Sequence, residues 1–369
     1  MLILENNGVS VKIEGESYLY FGGTNYLGLA HRHELLDAAT EAFNRFGFSA
    51  GASRLTSGES AVLLALEKRM AQFSGSESAL ILPSGYISNF AVVDAIEDLV
   101  DAWVIQKNAH RSILAAIAQS KKVVYLLDDH SGDGTIQIGG KSIQYPSFKT
   151  CPERFRKGYF LEPIDAMTGS VCDPRPIFES MTSNDFLVLD EAHSLGVLGD
   201  GGKGARELFG LASASNLIRT GTFSKAFGTQ GGFVLGSGNI IGRIIERSGA
   251  YRSSTPLSPV IAAATMESLR LLIESPESTI QKLQSNMQIM RKSLAHLNIS
   301  SNPHVPIFYA SGLESLPAIQ SELHEKRICV PQVGSYFAGA KNIGLRWTIQ
   351  ANHSKEQMDL LSKTILSKC

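Results

Sequence analysis

Between residues 79 and 235 short apolar runs alternate with helical patterns, and this alternation narrows the fold more than any other feature of the chain. The apolar runs lie at 79–82, 103–105, 123–127, 158–161, 186–189 and 232–235. Helical patterns follow the first two runs, at 87–96 and 110–117. Strands without polar alternation are typical of a sheet that helices cover on both faces. The sequence therefore predicts an α/β fold with a mostly parallel sheet.

The pattern changes at about Met266 to long amphipathic helices, among them 280–297, followed by shorter elements such as a strand at 342–347. We place a domain boundary there. The chain of 369 residues then divides into an N-terminal segment (1–34), a large domain (35–265) and a smaller α/β C-terminal domain (266–369). The segment 128–157 is polar and aperiodic, and the sequence predicts no element in it.

Composition excludes several classes of protein. A net charge of −1 argues against nucleic acid or an anionic membrane as the main partner. No apolar run approaches the roughly 20 residues that span a bilayer, so no membrane span is expected. The N-terminus has no basic region followed by an apolar stretch, which favours the cytoplasm. The four cysteines lack CxxC spacing, so we expect incidental thiols in a reducing compartment and no metal site.

The first candidate catalytic residue is Lys225, which follows the short apolar pair Leu217-Ile218. It stands among small and glycine residues, in Thr-Phe-Ser-Lys-Ala-Phe-Gly at 222–228. A lysine at the mouth of a sheet can form a Schiff base with an aldehyde. Nearby hydroxyls and backbone amides can hold a phosphate on the same molecule.

A carboxylate at the end of another predicted strand strengthens this interpretation. Asp190 opens the string Asp-Glu-Ala-His, directly after the apolar run 186–189. Pyridoxal phosphate needs a carboxylate against its pyridine nitrogen and a lysine for its aldehyde. Asp190 and Lys225 together therefore predict pyridoxal 5'-phosphate as the cofactor.

Five motifs in order carry a family resemblance. They are Asn-Tyr-Leu-Gly-Leu at 25–29, Ser-Arg-Leu-Thr-Ser-Gly at 53–58, Pro-Ser-Gly-Tyr-Ile-Ser-Asn at 83–89, Asp-Glu-Ala-His-Ser-Leu-Gly at 190–196, and 222–228. The chain resembles the α-oxoamine synthases, which are fold-type I pyridoxal-phosphate transferases, over about 20–349. The resemblance implies a large domain with a mostly parallel seven-stranded sheet, plus a smaller α/β C-terminal domain.

The resemblance also implies roles for the catalytic residues. Lys225 would bind the cofactor's aldehyde and later move the α-proton of the substrate, and Asp190 would keep the pyridine nitrogen protonated. His193 would lie near the phenolic oxygen of the cofactor. His110 matches the histidine that stacks on the ring, and Glu162 belongs to the same cofactor pocket.

Phosphate binding is expected at the helix that begins after Ser84, where Gly85 and Tyr86 carry free backbone N–H groups. Thr222 and Ser224 would add hydroxyls. Ser254 and Thr255 match a family segment that reaches the phosphate of the neighbouring subunit, which implies a homodimer with shared active sites.

Arg346 matches the arginine that binds the amino acid's carboxylate, a task that suits its bidentate fork. Asn25 is a second candidate for substrate contact. The chain departs from the family pattern at Thr24, where relatives carry asparagine, and at Ala166, where they carry serine. The proline-rich loop before the arginine is replaced by residues 331–336. The sequence starts almost directly at its first predicted strand, so we do not expect the N-terminal helix that helps to bind the acyl donor in several relatives.

Three other interpretations of these motifs are a helicase, an aminotransferase and an inactive homologue. Asp-Glu-Ala-His is also a helicase string, but the phosphate loop G-x-x-x-x-G-K-[ST] that such an enzyme needs is missing; the nearest candidate, around 139–142, has Thr135 where glycine is required. A fold-type I aminotransferase would share Asp190 and Lys225, although it usually carries another aromatic residue in place of His110. An inactive homologue is disfavoured by the intact catalytic set.

The reaction that the resemblance implies is the condensation of an amino acid with an acyl thioester, of CoA or of acyl carrier protein, to an α-oxoamine. Because biotin synthesis is the most widespread bacterial role in this family, alanine and a pimeloyl thioester are the leading hypothesis. Glycine or serine as substrate, and the aminotransferase, remain alternatives.

Overall fold

A computed structural model describes residues 2–127, 134–138, 141–295, 297, 299–311, 315–334 and 344–368. The strands are β1 (Ile3–Asn6), β2 (Ser10–Ile13), β3 (Glu16–Tyr20), β4 (Ser78–Leu82), β5 (Ala102–Ile105), β6 (Val123–Leu126), β7 (Gly134–Ile138), β8 (Lys141–Tyr145), β9 (Lys157–Leu161), β10 (Phe186–Asp190), β11 (Leu217–Thr222), β12 (Gly232–Gly236), β13 (Ser300–Ser301), β14 (Ile307–Ser311), β15 (Ile328–Cys329), β16 (Gln332–Val333) and β17 (Gly344–Thr348). The helices are α1 (His33–Phe46), α2 (Ala61–Ser74), α3 (Gly85–Ile96), α4 (Arg111–Ile117), α5 (Arg175–Ser180), α6 (Ala205–Leu208), α7 (Gly238–Arg247), α8 (Gly249–Arg252), α9 (Pro259–Glu274), α10 (Ile280–Ser293), α11 (Leu316–Glu325) and α12 (Lys355–Leu366).

A seven-stranded sheet forms the centre of the molecule, in the order β4-β12-β11-β10-β9-β5-β6. Only β12 runs against its neighbours, and the other paired strands are parallel. Alternate residues of one strand enter two different cores: Val104 packs on one face of the sheet, and Trp103 and Ile105 pack on the other. Both faces are therefore covered, which explains the uninterrupted apolar runs. The predicted mostly parallel seven-stranded sheet is confirmed.

A smaller antiparallel sheet, β13-β14-β17-β16, packs with α10, α11 and α12 around a separate apolar core. The N-terminal strands β1 to β3 form a third sheet, in which β3 pairs in parallel with β15. Phe21, which follows β3, is buried in the C-terminal core. The N-terminal segment thus packs with the small domain.

Several details differ from the sequence expectations. The proposed boundary at 266 lies inside α9, a continuous helix, and the boundary at 35 lies inside α1. The helix predicted at 280–297 ends at Ser293, because Leu294 leaves helical geometry and packs into the C-terminal core. The unassigned segment 128–157 contains the hairpin β7–β8, while 128–133 and 139–140 lie outside the described residues.

The sheet places its polar residues at one edge. Strands β4, β5, β9, β10 and β11 end there, and Ser84, His110, Glu162, Asp190 and Thr222 follow or close them. Ligands of open α/β sheets bind beyond the carboxyl ends of the strands. This edge is therefore the candidate active site. In the part of the chain that the structure covers, no helix is long and apolar enough to cross a membrane.

Candidate active site

Lys225 lies in the turn after β11, and its amine meets the side chain of His193. The distance from Lys225 Nζ to His193 Nε2 is 2.7 Å. Burial lowers the pKa of Lys225 to about 8, and the carboxylates of Asp190 and Glu162 oppose this effect. An amine with such a pKa is partly neutral near physiological pH, which makes it a competent nucleophile towards an aldehyde.

His193 is buried, and burial lowers its pKa well below the usual value, an effect that the nearby charges of Lys225 and Arg346 reinforce. Its Nδ1 lies 2.8 Å from the hydroxyl of Tyr26. Because the ammonium of Lys225 can only donate, a neutral His193 accepts at Nε2 and carries its proton on Nδ1, towards Tyr26.

Arg346, on β17, completes this side of the site. Its Nε donates to the backbone carbonyl of Ala166 at 2.8 Å, and its guanidinium is near enough to Tyr26 to act on the pKa of the phenol. Burial raises the pKa of Tyr26 to about 12, against the lowering effect of Arg346. Tyr26 therefore stays a neutral phenol that links the predicted carboxylate-binding arginine to His193.

Asp190 closes β10 with its carboxylate held from two directions. Its Oδ1 accepts the N–H of Ala192 at 3.0 Å, and its Oδ2 accepts from Asn89 Nδ2 at 2.8 Å. The adjacent Glu191 points elsewhere, because it forms a buried ion pair with Arg219 at 2.9 Å. The second acid of the Asp-Glu-Ala-His string is thus structural, which agrees with rejecting the helicase interpretation.

His110 caps the start of α4, and the residue as a whole is solvent-exposed. Its Nδ1 accepts from the backbone N–H of Ser112 at 3.2 Å and lies 2.7 Å from the Ser112 hydroxyl. Burial of the ring nitrogens lowers the pKa of His110, although Asp190 opposes the effect. A neutral flat ring is suited to stacking.

Glu162 lies behind His110, and its Oε2 accepts the backbone N–H of His110 at 2.6 Å. Burial, with the neighbouring charge of Asp190, raises the pKa of Glu162 to about 8. Through its hydrogen bond to the His110 N–H, the carboxyl group fixes the start of α4.

The phosphate-binding expectation concerns the start of α3. The Ser84 hydroxyl accepts the N–H of Ile87 at 3.3 Å and caps the helix. Gly85 is required for close approach, since a Cβ there would lie 2.8 Å from Thr222 Cβ. Thr222 Oγ1 lies 2.8 Å from the hydroxyl of Ser224, which is exposed. The helix N-terminus and two hydroxyls thus lie side by side, an arrangement that suits an anion.

Within the described part of their own subunit, the side chains of four predicted binding residues form no hydrogen bond with the site groups described above. The Tyr86 side chain is exposed and stacks on Phe90, so only its backbone faces the helix N-terminus. Asn25 Oδ1 accepts the N–H of Ala30 at 3.2 Å. Ser254 donates to the carbonyl of Thr255, and among the described residues neither hydroxyl bonds to the groups above. Their roles in binding stay predictions.

These groups fit pyridoxal phosphate. The site offers a buried amine of lowered pKa, a buried carboxylate with both oxygens anchored, a flat imidazole, and a helix N-terminus flanked by hydroxyls. They supply respectively an imine partner, a pyridinium partner, a stacking surface and an anion site.

Comparisons with known proteins agree with this geometry. The family model for aminotransferases of class I and II matches residues 17–365. The 8-amino-7-oxononanoate synthase of Methylococcus capsulatus is 31% identical over 96% of this chain and 90% of its own. Among solved structures, a serine palmitoyltransferase from S. paucimobilis with bound PLP–myriocin aldimine has a TM-score of 0.85 at 20% identity, covering 99% of this chain and 90% of that one. An 8-amino-7-oxononanoate synthase from Francisella tularensis has a TM-score of 0.75 at 23% identity, covering 95% and 97%.

The fold and the match to aminotransferases of class I and II define a fold-type I pyridoxal-phosphate enzyme. Within this class, the chain belongs to the α-oxoamine synthase family.

Sequence reasoning assigned no role to Tyr26, Asn89, Ser112 and Thr220, which the structure brings to the site. Tyr26 and Asn89 stand inside the motifs at 25–29 and 83–89, and a polar residue within such a motif was the available signal.

Proposed function

We propose that the protein condenses an amino acid with an acyl thioester in a reaction that depends on pyridoxal phosphate. The observation that supports this most is the placement of Arg346 and Lys225 on opposite sides of the His193–Tyr26 pair. A carboxylate held by Arg346 would direct the Cα of the same amino acid towards the Lys225 amine. This geometry serves removal of the Cα proton.

Bound pyridoxal phosphate would supply an electron sink that stabilises negative charge at Cα. The chain's own residues do the rest. Lys225 would take the Cα proton as a neutral amine, and Asp190 would hold the proton on the pyridine nitrogen. His193 is neutral and can donate or accept one hydrogen bond at Nε2, depending on its partner. His110 would lie against one face of the ring and exclude water from it.

We propose L-alanine and a pimeloyl thioester as the substrates, hence 8-amino-7-oxononanoate synthase activity in the cytoplasm. The Methylococcus capsulatus relative that carries this name supports the choice. Glycine and serine remain alternatives as substrates, because a serine palmitoyltransferase is among the structural neighbours.

A screen of alanine, glycine and serine against acyl-CoA and acyl-carrier-protein donors tests the proposal. We expect thiol release, in equal amount to an α-oxoamine product, for alanine with a pimeloyl donor. Release of thiol with glycine or serine only would contradict the assigned substrates while leaving the reaction class intact.

We also propose a homodimer whose subunits share their active sites. Five large apolar side chains are exposed along residues 36–64, an unusual density for a free surface: Leu36, Phe43, Phe48, Leu55 and Leu64. Ser254 and Thr255 lack contacts with the site of their own chain among the described residues. A second copy would bury the apolar surface and bring these hydroxyls to its neighbour's phosphate.

Subunit complementation tests the shared site. Thr255→Asp would repel the phosphate of the neighbouring site, and Lys225→Ala would remove the amine of its own site. Each variant alone should be inactive. Mixed subunits should recover activity, because a subunit with Lys225 then receives an intact Thr255 from its partner. A mixture that exchanges subunits but stays inactive would place Thr255 in its own subunit's site.

A further inference from the structure

Asn89 connects the two groups that would face the cofactor's ring. Its side chain is 0% exposed, on the inner face of α3. Its Nδ2 donates to Asp190 Oδ2 and to Ser112 Oγ, both at 2.8 Å. Thr220 Oγ1 donates to its Oδ1 at 2.7 Å. Ser112 in turn lies 2.7 Å from His110 Nδ1.

The directions of these bonds follow from Asp190. An ionised carboxylate only accepts, so the amide must present its NH₂ group to Asp190 and its oxygen to Thr220. The second N–H of Asn89 occupies a lone pair of Ser112, whose own O–H is then directed at His110 Nδ1. The backbone N–H of Ser112 also points at that nitrogen. His110 is therefore the tautomer with its proton on Nε2.

We propose that Asn89 is a positioning residue that sets the orientation of Asp190 towards the pyridine nitrogen and, through Ser112, the tautomer and plane of His110. This inference rests on the proposed function, since it concerns the same cofactor. Asn89 touches neither cofactor nor substrate, because it is enclosed behind both side chains.

Loss of the hydrogen bond from Asn89 should have a sizeable effect on the orientation of Asp190. Asp190 Oδ1 has its own donor in the Ala192 N–H, so Asn89 is the fixed donor to Oδ2. Hydrogen bonds to charged groups are roughly twice as strong as neutral ones, and buried networks lose more than one bond when a member is removed. Without Asn89, the carboxylate can rotate about its terminal torsion, which is a soft one.

The test is Asn89→Leu, a substitution of similar size without hydrogen bonds, read with cofactor that is isotopically labelled at the ring nitrogen. We expect the nitrogen NMR signal of the holoenzyme to move from the protonated towards the unprotonated position. We expect kcat to fall about 10- to 100-fold. The KM for alanine should change less than about threefold, because Arg346 is untouched.

A double-mutant cycle with Asp190→Asn shows whether Asn89 acts through Asp190. In that background, adding Asn89→Leu should change kcat by less than about twofold, because the carboxylate is already lost. The position of the ring-nitrogen signal should stay nearly the same for the same reason. Thr220→Val, which removes only the bond that orients the amide, should move the nitrogen signal in the same direction by a smaller amount. It is also the deciding variant if Asn89→Leu does not fold.

Asn286→Leu is the matched control, because Asn286 is also buried and donates to three backbone carbonyls outside the Asn89–Asp190 network, those of Gln350, Ala351 and His353. It should lower the unfolding temperature without moving the nitrogen signal. A wild-type signal in Asn89→Leu or Thr220→Val, or fully multiplicative effects in the cycle, would overturn the inference. Wild-type protein that takes up no cofactor would instead refute the proposed function.

Discussion

Lys225→Ala should abolish the covalent link to pyridoxal phosphate and reduce condensation to the background rate. Wild-type protein loaded with the cofactor should be yellow, and borohydride should bleach the colour by fixing the bond to the Lys225 peptide. The variant can hold the cofactor only by noncovalent contacts, such as those with Asp190, His110 and the start of α3. Mass spectrometry of the reduced, digested proteins checks this, with an adduct on the peptide that contains residue 225 in wild type alone.

The rate at which apoenzyme takes up the cofactor provides a control for this prediction. The neutral amine is the nucleophile, and with a pKa of about 8 only about a tenth of it is neutral at pH 7. The rate of colour formation in wild type should therefore rise with pH through about 8 and level off above it. An adduct in Lys225→Ala, or one on another lysine in wild type, would contradict the assignment.

Asp190→Asn should lower kcat by about three orders of magnitude, which corresponds to about 4 kcal/mol in the transition state. The amide keeps the shape of the side chain but cannot hold the pyridine nitrogen protonated, so the ring accepts charge poorly. Steady-state thiol release by variant enzyme that is saturated with cofactor measures the loss.

His110→Phe is the comparison for this variant. A phenyl ring preserves a flat stacking surface, so the substitution should lower kcat more than it weakens cofactor binding. Both losses should be smaller than those of Asp190→Asn. Small and equal losses in the two variants would mean that other residues face the ring.

Much of the fold could be predicted because the strands of a doubly covered sheet are apolar along their whole length. Where that signal is missing, prediction failed. The hairpin β7–β8 lies in a polar segment, and its alternation is confined to Ile136 and Ile138 in one strand and Ile143 and Tyr145 in the other, too short a signal to stand out. The proposed boundary at 266 falls within α9, whose buried apolar residues continue on both sides of that position, as Val260 and Leu269 illustrate. The pairing of β3 with β15 joins distant parts of the chain, which local patterns do not encode.

The residues of the site also fall into two groups, those that the sequence indicated and those that it did not. Lys225 and Asp190 could be singled out in the sequence because their chemistry is specific, and because Asp190 closes β10 and Lys225 comes shortly after β11. Their supporting residues could not, because a single sequence does not tell which buried polar groups meet. Tyr26 and His193 are 167 positions apart, and Asn89 and Asp190 are 101 apart. The structure supplies these contacts, which hold His193 and Asp190 in place.

The fate of the amino nitrogen tests the central proposal most directly. Wild-type holoenzyme is mixed with alanine, first alone and then with the acyl thioester that the screen selects, and pyridoxamine phosphate, pyruvate, thiol and α-oxoamine are measured. A condensing enzyme exchanges the Cα proton with alanine alone without accumulating pyridoxamine phosphate, and releases one thiol per α-oxoamine once the thioester is added. Pyruvate and pyridoxamine phosphate formed in stoichiometric amounts from alanine alone would contradict the proposal and identify an aminotransferase.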